Sequence, residues 1–296
     1  RDKDFSNPSF IDVKEILSLQ VLPLCFIPIL SIFGAYLVNF HYNIILILLI
    51  AILVMIYLLI SFDMFVSKNL YPLAIFAIAI SLLYHYSLIS MYLTGWDIHV
   101  EYYFYKLVET NSFWDSTIQG NCNTALSITM LCPIYSYLLK MDGTWIFKII
   151  YPFLFSLVPL SLYHLYKKQL DERIAFLSAF FFMSVNVFYM EMISLARQQI
   201  AELFFVLLML LLVNREMDLT NKRILSIVFI FGIIISHYSF SSIYIIILGL
   251  AFIILFYTKN ENKDISKNYH FITFGLILIF LVGNLSWHLY VTSSTI

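Results

Sequence analysis

Apolar runs of about 20 residues, separated by short polar stretches, constrain this chain more than any other feature. A run of that length spans the hydrocarbon core of a bilayer as one α-helix. About nine such runs can be placed, at 16–39, 43–62, 70–91, 146–166, 174–192, 196–213, 223–237, 240–257 and 270–290. The sequence therefore predicts an all-α, polytopic membrane protein.

The composition agrees with this fold class. Of 296 residues, 61% are apolar and 12% are charged, against about a quarter charged in a soluble domain. The net charge of −1 lacks the basic excess typical of nucleic-acid binding. Cys122 and Cys132 lie ten residues apart and would pair if both face an oxidising space.

We expect three regions along the chain. Residues 1–69 form an N-terminal segment and a two-helix extension, residues 70–213 form a core with an outer loop at 92–145, and residues 214–296 add three membrane helices. Segment 124–140 is half apolar and interrupted by Pro133, so we expect it to be re-entrant or to lie on the surface. The polar end after the last run suggests that further protein follows.

Lysine and arginine positions predict the orientation. Basic residues concentrate in cytoplasmic loops. With a cytoplasmic N-terminus, the only four of the 17 basic residues that fall outside are Lys106, Lys140, Lys148 and Arg197. The outer side then receives segment 92–145 and the turns near 190–198 and 237–240, where we look for chemistry.

The first polar motif follows the third run, where Asp97, His99 and Glu101 alternate. In an extended chain all three side chains point one way, whereas in a helix Asp97 and Glu101 share a face. Either arrangement places carboxylates at the membrane surface, where they can accept a proton or bind a divalent ion. The alternative is a solvated helix start with Asp97 as its N-cap.

The residues after this motif predict an amphipathic helix lying in the membrane interface. Its apolar stripe consists of Val100, Phe104, Leu107 and Val108. Trp96 and Trp114 flank it as interfacial anchors. We expect the same role for Trp287 at the end of the ninth run.

The second motif contains Glu191 and Arg197 at the predicted outer surface. A charged residue at mid-membrane costs about 2.5–3.5 kcal/mol on insertion scales, so it is a functional candidate. The planar fork of arginine suits a phosphate. The alternative is an internal ion pair of Arg197 with Glu191 or Glu202.

A third polar site is His237, in the turn between the seventh and eighth runs. It is either a ligand-binding group or a histidine hydrogen-bonded between helices. Lys148 lies near the outer end of its run and either reaches the headgroups or faces a lipid phosphate.

Taken together, these motifs resemble the GT-C class of integral-membrane glycosyltransferases. The closer likeness is to an archaeal-type family of uncharacterised GT-C-like membrane proteins. Segments 95–102, 148–152, 196–198 and 236–239 carry the resemblance, which covers residues 70–213 best. Two features depart from the family pattern: two additional helices precede the motif, and Asp97 is followed by Ile98 and His99 instead of a second adjacent acid.

The resemblance implies transfer of a sugar from a polyprenyl-phosphate carrier to a protein or glycan acceptor, on the outer face of a prokaryotic cytoplasmic membrane. The implied catalytic acids are Asp97, Glu101 and Glu191. The implied ligands of the carrier phosphate are Arg197, Lys148 and His237. Residues implied to line the acceptor side are His99, Gln198 and Tyr238. The implied ligands of a divalent Mg or Mn ion are Asp97, His99 and Glu191.

Two other functions fit the same helices. A non-catalytic scaffold could keep the GT-C-like architecture as a partner-binding subunit. A transporter or flippase would have paired broken helices and polar residues at mid-membrane, whereas the strongest polar residues here gather at one surface.

Overall fold

The computed structural model describes residues 20–214, 216–258 and 274–291, and the regular structure within them is helical. The helices are α1 (Val21–Val38), α2 (Ile44–Ser61), α3 (Tyr71–Ser87, preceded by a 3-10 turn at Lys68–Leu70), α4 (Asp97–Asn111), α5 (Leu126–Thr129), α6 (Leu131–Leu139), α7 (Gly143–Lys167, with a π-helical turn at Ile146–Ile150), α8 (Glu172–Ser184), α9 (Val187–Ser194), α10 (Ala196–Val213), α11 (Leu219–Ser236), α12 (Tyr238–Thr258) and α13 (Phe274–Ser286, continued by a π-helical turn at Trp287–Val291).

The predicted polytopic fold is confirmed. Within the described residues, eight helical segments are long and apolar enough to cross a membrane, and the bent pair of α8 and α9 would make a ninth. The prediction of one continuous span at 174–192 missed this bend of 60°. Val185 adopts extended backbone and ends α8, although the apolar sequence continues across the break.

Aspartate side chains start three of the helices. Asp142 accepts the backbone N–H of Thr144 at the start of α7, and Asp171 accepts that of Arg173 at the start of α8. Asp218 accepts the backbone N–H of Asn221 at the start of α11. Each bond satisfies one of the N–H groups that a helix start leaves without an intrahelical partner.

The helices pack around three apolar clusters. The largest lies among α1, α2, α3, α7, α8 and α9. A second joins α4–α7 to the start of α10, and a third lies among α10–α13. Ile98 and Ala196 of the second cluster are the sequence neighbours of Asp97 and Arg197, so this cluster holds the segments that carry the two side chains together.

The segment between α3 and α7 differs from its prediction at α4. Segment 124–140 forms the two short helices α5 and α6, neither long enough to span a membrane. Helix α4 is amphipathic as expected, but Val100 of the predicted apolar stripe is 49% exposed and Glu101 is fully buried. The stripe was assigned from side-chain polarity alone. Glu101 faces inward because it pairs with Arg197, nearly 100 positions further along the chain, and polarity within α4 does not indicate that contact.

Two of the predicted tryptophan anchors pack against each other instead. The rings of Trp114 and Trp287 stack with centroids 6.3 Å apart. The Trp114 Nε1–H donates to the carbonyl of Asn123, and the Trp287 Nε1–H donates to that of Thr124. Trp96, in contrast, is 94% exposed, and its role as an interfacial anchor stays a prediction. The Trp114–Trp287 contact ties α13 to the segment that carries the polar motif.

Candidate functional site

Counting the bent pair as one span, alternation along the chain places three polar turns on one side of the membrane. These are the segment between α3 and α7, the turn between α9 and α10, and the turn at His237. Side-chain contacts confirm that they meet, because Arg197 at the start of α10 contacts both other turns.

Arg197 lies at the centre of this cluster. Its Nη2 donates to Asp97 Oδ2 at 2.8 Å, and its Nε lies 3.4 Å from Glu101 Oε1. Its Nη1 donates to the Cys122 Sγ, and its guanidinium carbon lies 5.7 Å from the centroid of the Tyr238 ring. The side chain is only 8% exposed. A buried guanidinium is therefore surrounded by two carboxyl groups, a thiol and an aromatic face.

Glu101 fastens α4 to the start of α10. Its side chain is fully buried, and Oε2 accepts the backbone N–H of Ala196 at 2.9 Å. It thus satisfies an N–H in the first turn of another helix. Burial raises the pKa of the Glu101 carboxyl to about 8, while the positive charge of Arg197 and the Ala196 N–H act to lower it.

Asp97 is the accessible member of the cluster, with half of its side chain exposed. It is the first residue of α4, and the N-cap position belongs to Trp96, so the alternative of Asp97 as N-cap is wrong. The helical alternative is confirmed, because Asp97 and Glu101 both reach Arg197. The result is a half-exposed carboxylate held in place by a buried cation.

Cys122 is the member of the cluster that the sequence did not identify. It is a free, buried cysteine in the loop before α5, and burial raises the pKa of its thiol to about 11. The thiol is therefore protonated at neutral pH. Cys132 is also free, so the disulfide considered from the sequence does not form. No periodicity in the loop sequence distinguishes Cys122.

The three residues implied to bind the carrier phosphate are all buried. Lys148 is 3% exposed and its Nζ donates to the carbonyl of Tyr92 at 3.0 Å, so the expectation that it reaches the headgroups is wrong. His237 is 6% exposed, and its Nδ1 accepts the N–H of Phe240 in the first turn of α12. This bond is local and does not join two helices. The guanidinium of Arg197 already contacts Asp97, Glu101 and Cys122.

The remaining predicted residues lie around the cluster. Glu191 and His99 are exposed. The Nε2 of Gln198 donates to Glu202 at 2.9 Å. The predicted ion pair of Arg197 is present, but its partners are Asp97 and Glu101, not Glu191 or Glu202.

The predicted metal site is not assembled. In the described portion of the chain, no three His, Cys, Asp or Glu residues are grouped so that they could hold a metal ion. Asp97, His99 and Glu191 therefore do not fit a shared divalent ion. His99 follows Asp97 by two positions on a helix and faces away from it.

Arg197 lines neither of two cavities in the described part of the helix bundle. One is a groove of about 430 Å³ between α11 and α13, lined by Phe231, Ile234, Ile235, Gly283, Ser286, Trp287, Tyr290 and Val291. Its wall at Ile235 lies two residues before His237. The other, of about 350 Å³, lies between α4 and α6 and includes Glu109 and Trp114. The first groove is almost wholly apolar and lies between two membrane spans.

The fold and this cluster define a polytopic membrane protein with a buried ionic site at one end of its helix bundle. Residues 222–296 match a family described as "Predicted membrane protein (DUF2206)". The match includes Tyr238 and the groove between α11 and α13, whereas Asp97, Glu101 and Arg197 precede it. No curated protein and no solved structure matches the chain.

Proposed function

We propose that this protein is a membrane glycosyltransferase that moves a sugar from a polyprenyl-phosphate carrier to an acceptor hydroxyl. The observation that carries the proposal is the half-exposed Asp97 carboxylate, held at 2.8 Å by the buried Arg197. Desolvating such charges is costly, and an apolar replacement is often as stable, so stability alone gives little reason for the arrangement. Perturbed ionisable groups that share one site are candidates for chemistry.

In the proposed reaction Asp97 accepts the proton of the acceptor hydroxyl. The hydroxyl oxygen bonds to the anomeric carbon of the donor sugar while the bond from that carbon to the phosphate oxygen breaks. The polyprenyl phosphate leaves with the bonding electrons, through an oxocarbenium-like transition state. No step passes through a metal ion, because the predicted ligands do not fit one.

The geometry changes the role that the resemblance implied for Arg197. Its guanidinium already contacts Asp97, Glu101 and Cys122, so its first role is to position Asp97. It can reach the carrier phosphate only if its contact with Asp97 opens. In that state it would stabilise charge on the leaving phosphate.

The groove between α11 and α13 supports a lipid-linked donor. Its wall is apolar except for Ser286 and the polar atoms of Trp287 and Tyr290, and it lies between two helices long enough to span the membrane. The Trp287 at its edge donates to the carbonyl of Thr124, two residues after Cys122. A carrier chain in this groove would have its phosphate end on the side of the membrane where Asp97 lies.

The test is Asp97→Asn in membranes supplied with labelled polyprenyl-phosphate sugars. We expect transfer to fall by about 10²–10⁴-fold, the contribution typical of a general base. Asp115→Asn is the matched control, since Asp115 is an acid of the same outer segment whose carboxylate accepts hydrogen bonds from the N–H and hydroxyl of Thr117. Undiminished transfer by Asp97→Asn would remove Asp97 from the mechanism.

A non-catalytic scaffold is the second candidate, because Arg197, Lys148 and His237 are closed to a phosphate. In that case the cluster serves to hold α4 on α10 as part of a binding surface. The scaffold would be favoured if the wild-type protein transferred no sugar from any carrier in the panel. A transporter with inverted repeats would have paired broken helices, and the described residues contain one bent pair.

A further inference from the structure

Gly95 lies in the turn between α3 and α4, two residues before Asp97. Its φ is +117°, in the region that residues with a side chain rarely adopt. The backbone of this turn therefore depends on glycine before any packing is considered.

Packing adds a second constraint at the same position. A Cβ atom added to Gly95 would overlap the Cβ of Ser194 and lie 3.2 Å from its Oγ. Ser194 is the last residue of α9 and comes three residues before Arg197. The backbone at Gly95 is thus in direct contact with the turn that leads into α10.

We infer that Gly95 and Ser194 are positioning residues that hold Asp97 on Arg197. The two contacts lie side by side. Gly95 packs on Ser194, and Asp97, two residues after Gly95, accepts a hydrogen bond at 2.8 Å from Arg197, three residues after Ser194. A side chain in place of Gly95 must separate the two turns. Because a hydrogen bond is lost beyond about 3.5 Å, a shift of about 1 Å is enough to break the Asp97–Arg197 contact. The catalytic consequence rests on the proposed function, while the structural consequence does not.

The structural consequence is tested by a double-mutant cycle on the thermal stability of the purified full chain. Asp97→Asn lowers the Tm of the wild-type protein because it weakens the bond to Arg197. In a Gly95→Ala background the bond is already broken, so Asp97→Asn has little further effect. Gly249→Ala is the matched control, since a Cβ added to Gly249 meets nothing within 4 Å, and its effect adds to that of Asp97→Asn. Additive effects of Gly95→Ala and Asp97→Asn would overturn the inference.

Second-site variants separate the contact from backbone strain. Ser194→Gly removes the Cβ that the methyl group of the Gly95→Ala variant would meet, and it leaves the Ser194 Cα at 3.5 Å, an ordinary contact. Ser194→Ala retains that Cβ. We expect Ser194→Gly, and not Ser194→Ala, to restore the effect of Asp97→Asn in the Gly95→Ala background. Equal behaviour of the two would contradict the proposed contact.

A variant on the other side of the contact keeps the inference testable if Gly95→Ala does not fold. The larger side chain of the Ser194→Val variant would crowd Gly95 from the α9 side. It should weaken the same coupling between Asp97 and Arg197. An unchanged effect of Asp97→Asn in the Ser194→Val background would equally overturn the inference.

The catalytic consequence is measured separately. Gly95→Ala should lower kcat about 10²-fold, as expected for a misplacement of about 1 Å, and leave the KM for the lipid-linked donor within about twofold. A rise in KM with unchanged kcat would contradict positioning of Asp97. If the wild-type protein transfers no sugar, the proposed function fails, and the stability cycle still decides whether Gly95 and Ser194 position Asp97.

Discussion

At the scale of single residues, the cluster of Asp97, Glu101 and Cys122 depends on the geometry of the Arg197 guanidinium. Arginine presents its N–H donors in a rigid, planar fork. At Arg197 the three nitrogens face three different residues: Nη2 faces Asp97, Nη1 faces Cys122 and Nε faces Glu101. A lysine offers a single compact charge and cannot contact all three. The half-exposed carboxylate of Asp97 is therefore held by a side chain whose other two nitrogens already face Cys122 and Glu101.

Glu101 should give the protein a characteristic dependence of stability on pH. Its carboxyl has a pKa of about 8 in the folded state, against an ordinary value of 4.5. Between these values the unfolded chain has released the proton and the folded chain retains it, so stability falls as pH rises through this window. Glu101→Gln keeps an acceptor for the Ala196 N–H and removes the titration.

We expect the Tm of the wild-type protein to fall between pH 5 and pH 8, and the Glu101→Gln protein to lose most of this slope. The measurement is thermal unfolding of the full chain in lipid nanodiscs across that pH range. Glu191→Gln, at an exposed glutamate near the same turn, should keep the wild-type slope. An unchanged slope in Glu101→Gln would show that Glu101 is ionised in the folded protein at both ends of the range.

The residues of the cluster were predictable to different degrees. The spacing of four between Asp97 and Glu101 indicated a shared helix face, and a charged Arg197 next to apolar sequence indicated a functional or paired side chain. Which acids pair with Arg197 depends on the packing of α4 on α10, so the sequence could not choose Glu101 over Glu191. Cys122 and the burial of Lys148 also arise only from tertiary contacts.

At the scale of helices, hydropathy predicted the spans because each must cover the bilayer core with apolar residues. It did not predict the bend between α8 and α9, since Val185 breaks the helix without interrupting the apolar run. It also misplaced one edge of the apolar stripe of α4, since Val100 is exposed while Phe104 and Val108 are buried as predicted. An apolar stripe identifies the buried face of a helix only where no buried charged pair lies on that face. On α4 the pair of Glu101 with Arg197 lies there.

The groove between α11 and α13 can be filled at Gly283. A Cβ at that position would meet only the Ile234 Cδ1, at 3.1 Å. If the groove holds the carrier chain, Gly283→Phe should reduce photo-crosslinking of a photoreactive polyprenyl phosphate to these helices by about tenfold, a change of about 1.4 kcal/mol in binding.

Gly249→Phe is the matched control for the groove. It adds the same ring to α12 where a Cβ meets nothing within 4 Å, so crosslinking to α11 and α13 should remain as in the wild-type protein. Equal labelling of the Gly283→Phe and wild-type proteins would place the carrier chain elsewhere and leave the role of Asp97 unaffected.

At the scale of the whole molecule, the cluster joins parts of the chain that are far apart in sequence. Asp97 and Cys122 come from the segment between α3 and α7, Arg197 starts α10, and Tyr238 starts α12. The family match at 222–296 contains only Tyr238 among these four. A fragment limited to the matched residues would therefore lack the carboxylates and the guanidinium, so any test of the site requires the full chain.

The orientation decides which side of the membrane carries the site, because the three polar turns change side together with the N-terminus. The distribution of basic residues predicts a cytoplasmic N-terminus, which places α6 outside and the turn between α7 and α8 inside. Tyr137 on α6 is 85% exposed, and Gln169 in that turn is also exposed.

Cysteines introduced at these two positions in a Cys25→Ser background, where Cys122 and Cys132 remain buried, should react differently with a membrane-impermeant maleimide. We expect Tyr137→Cys to be labelled in intact cells and Gln169→Cys only after permeabilisation; the reverse pattern would place Asp97 on the cytoplasmic face, where a donor carried to the outer leaflet could not reach it.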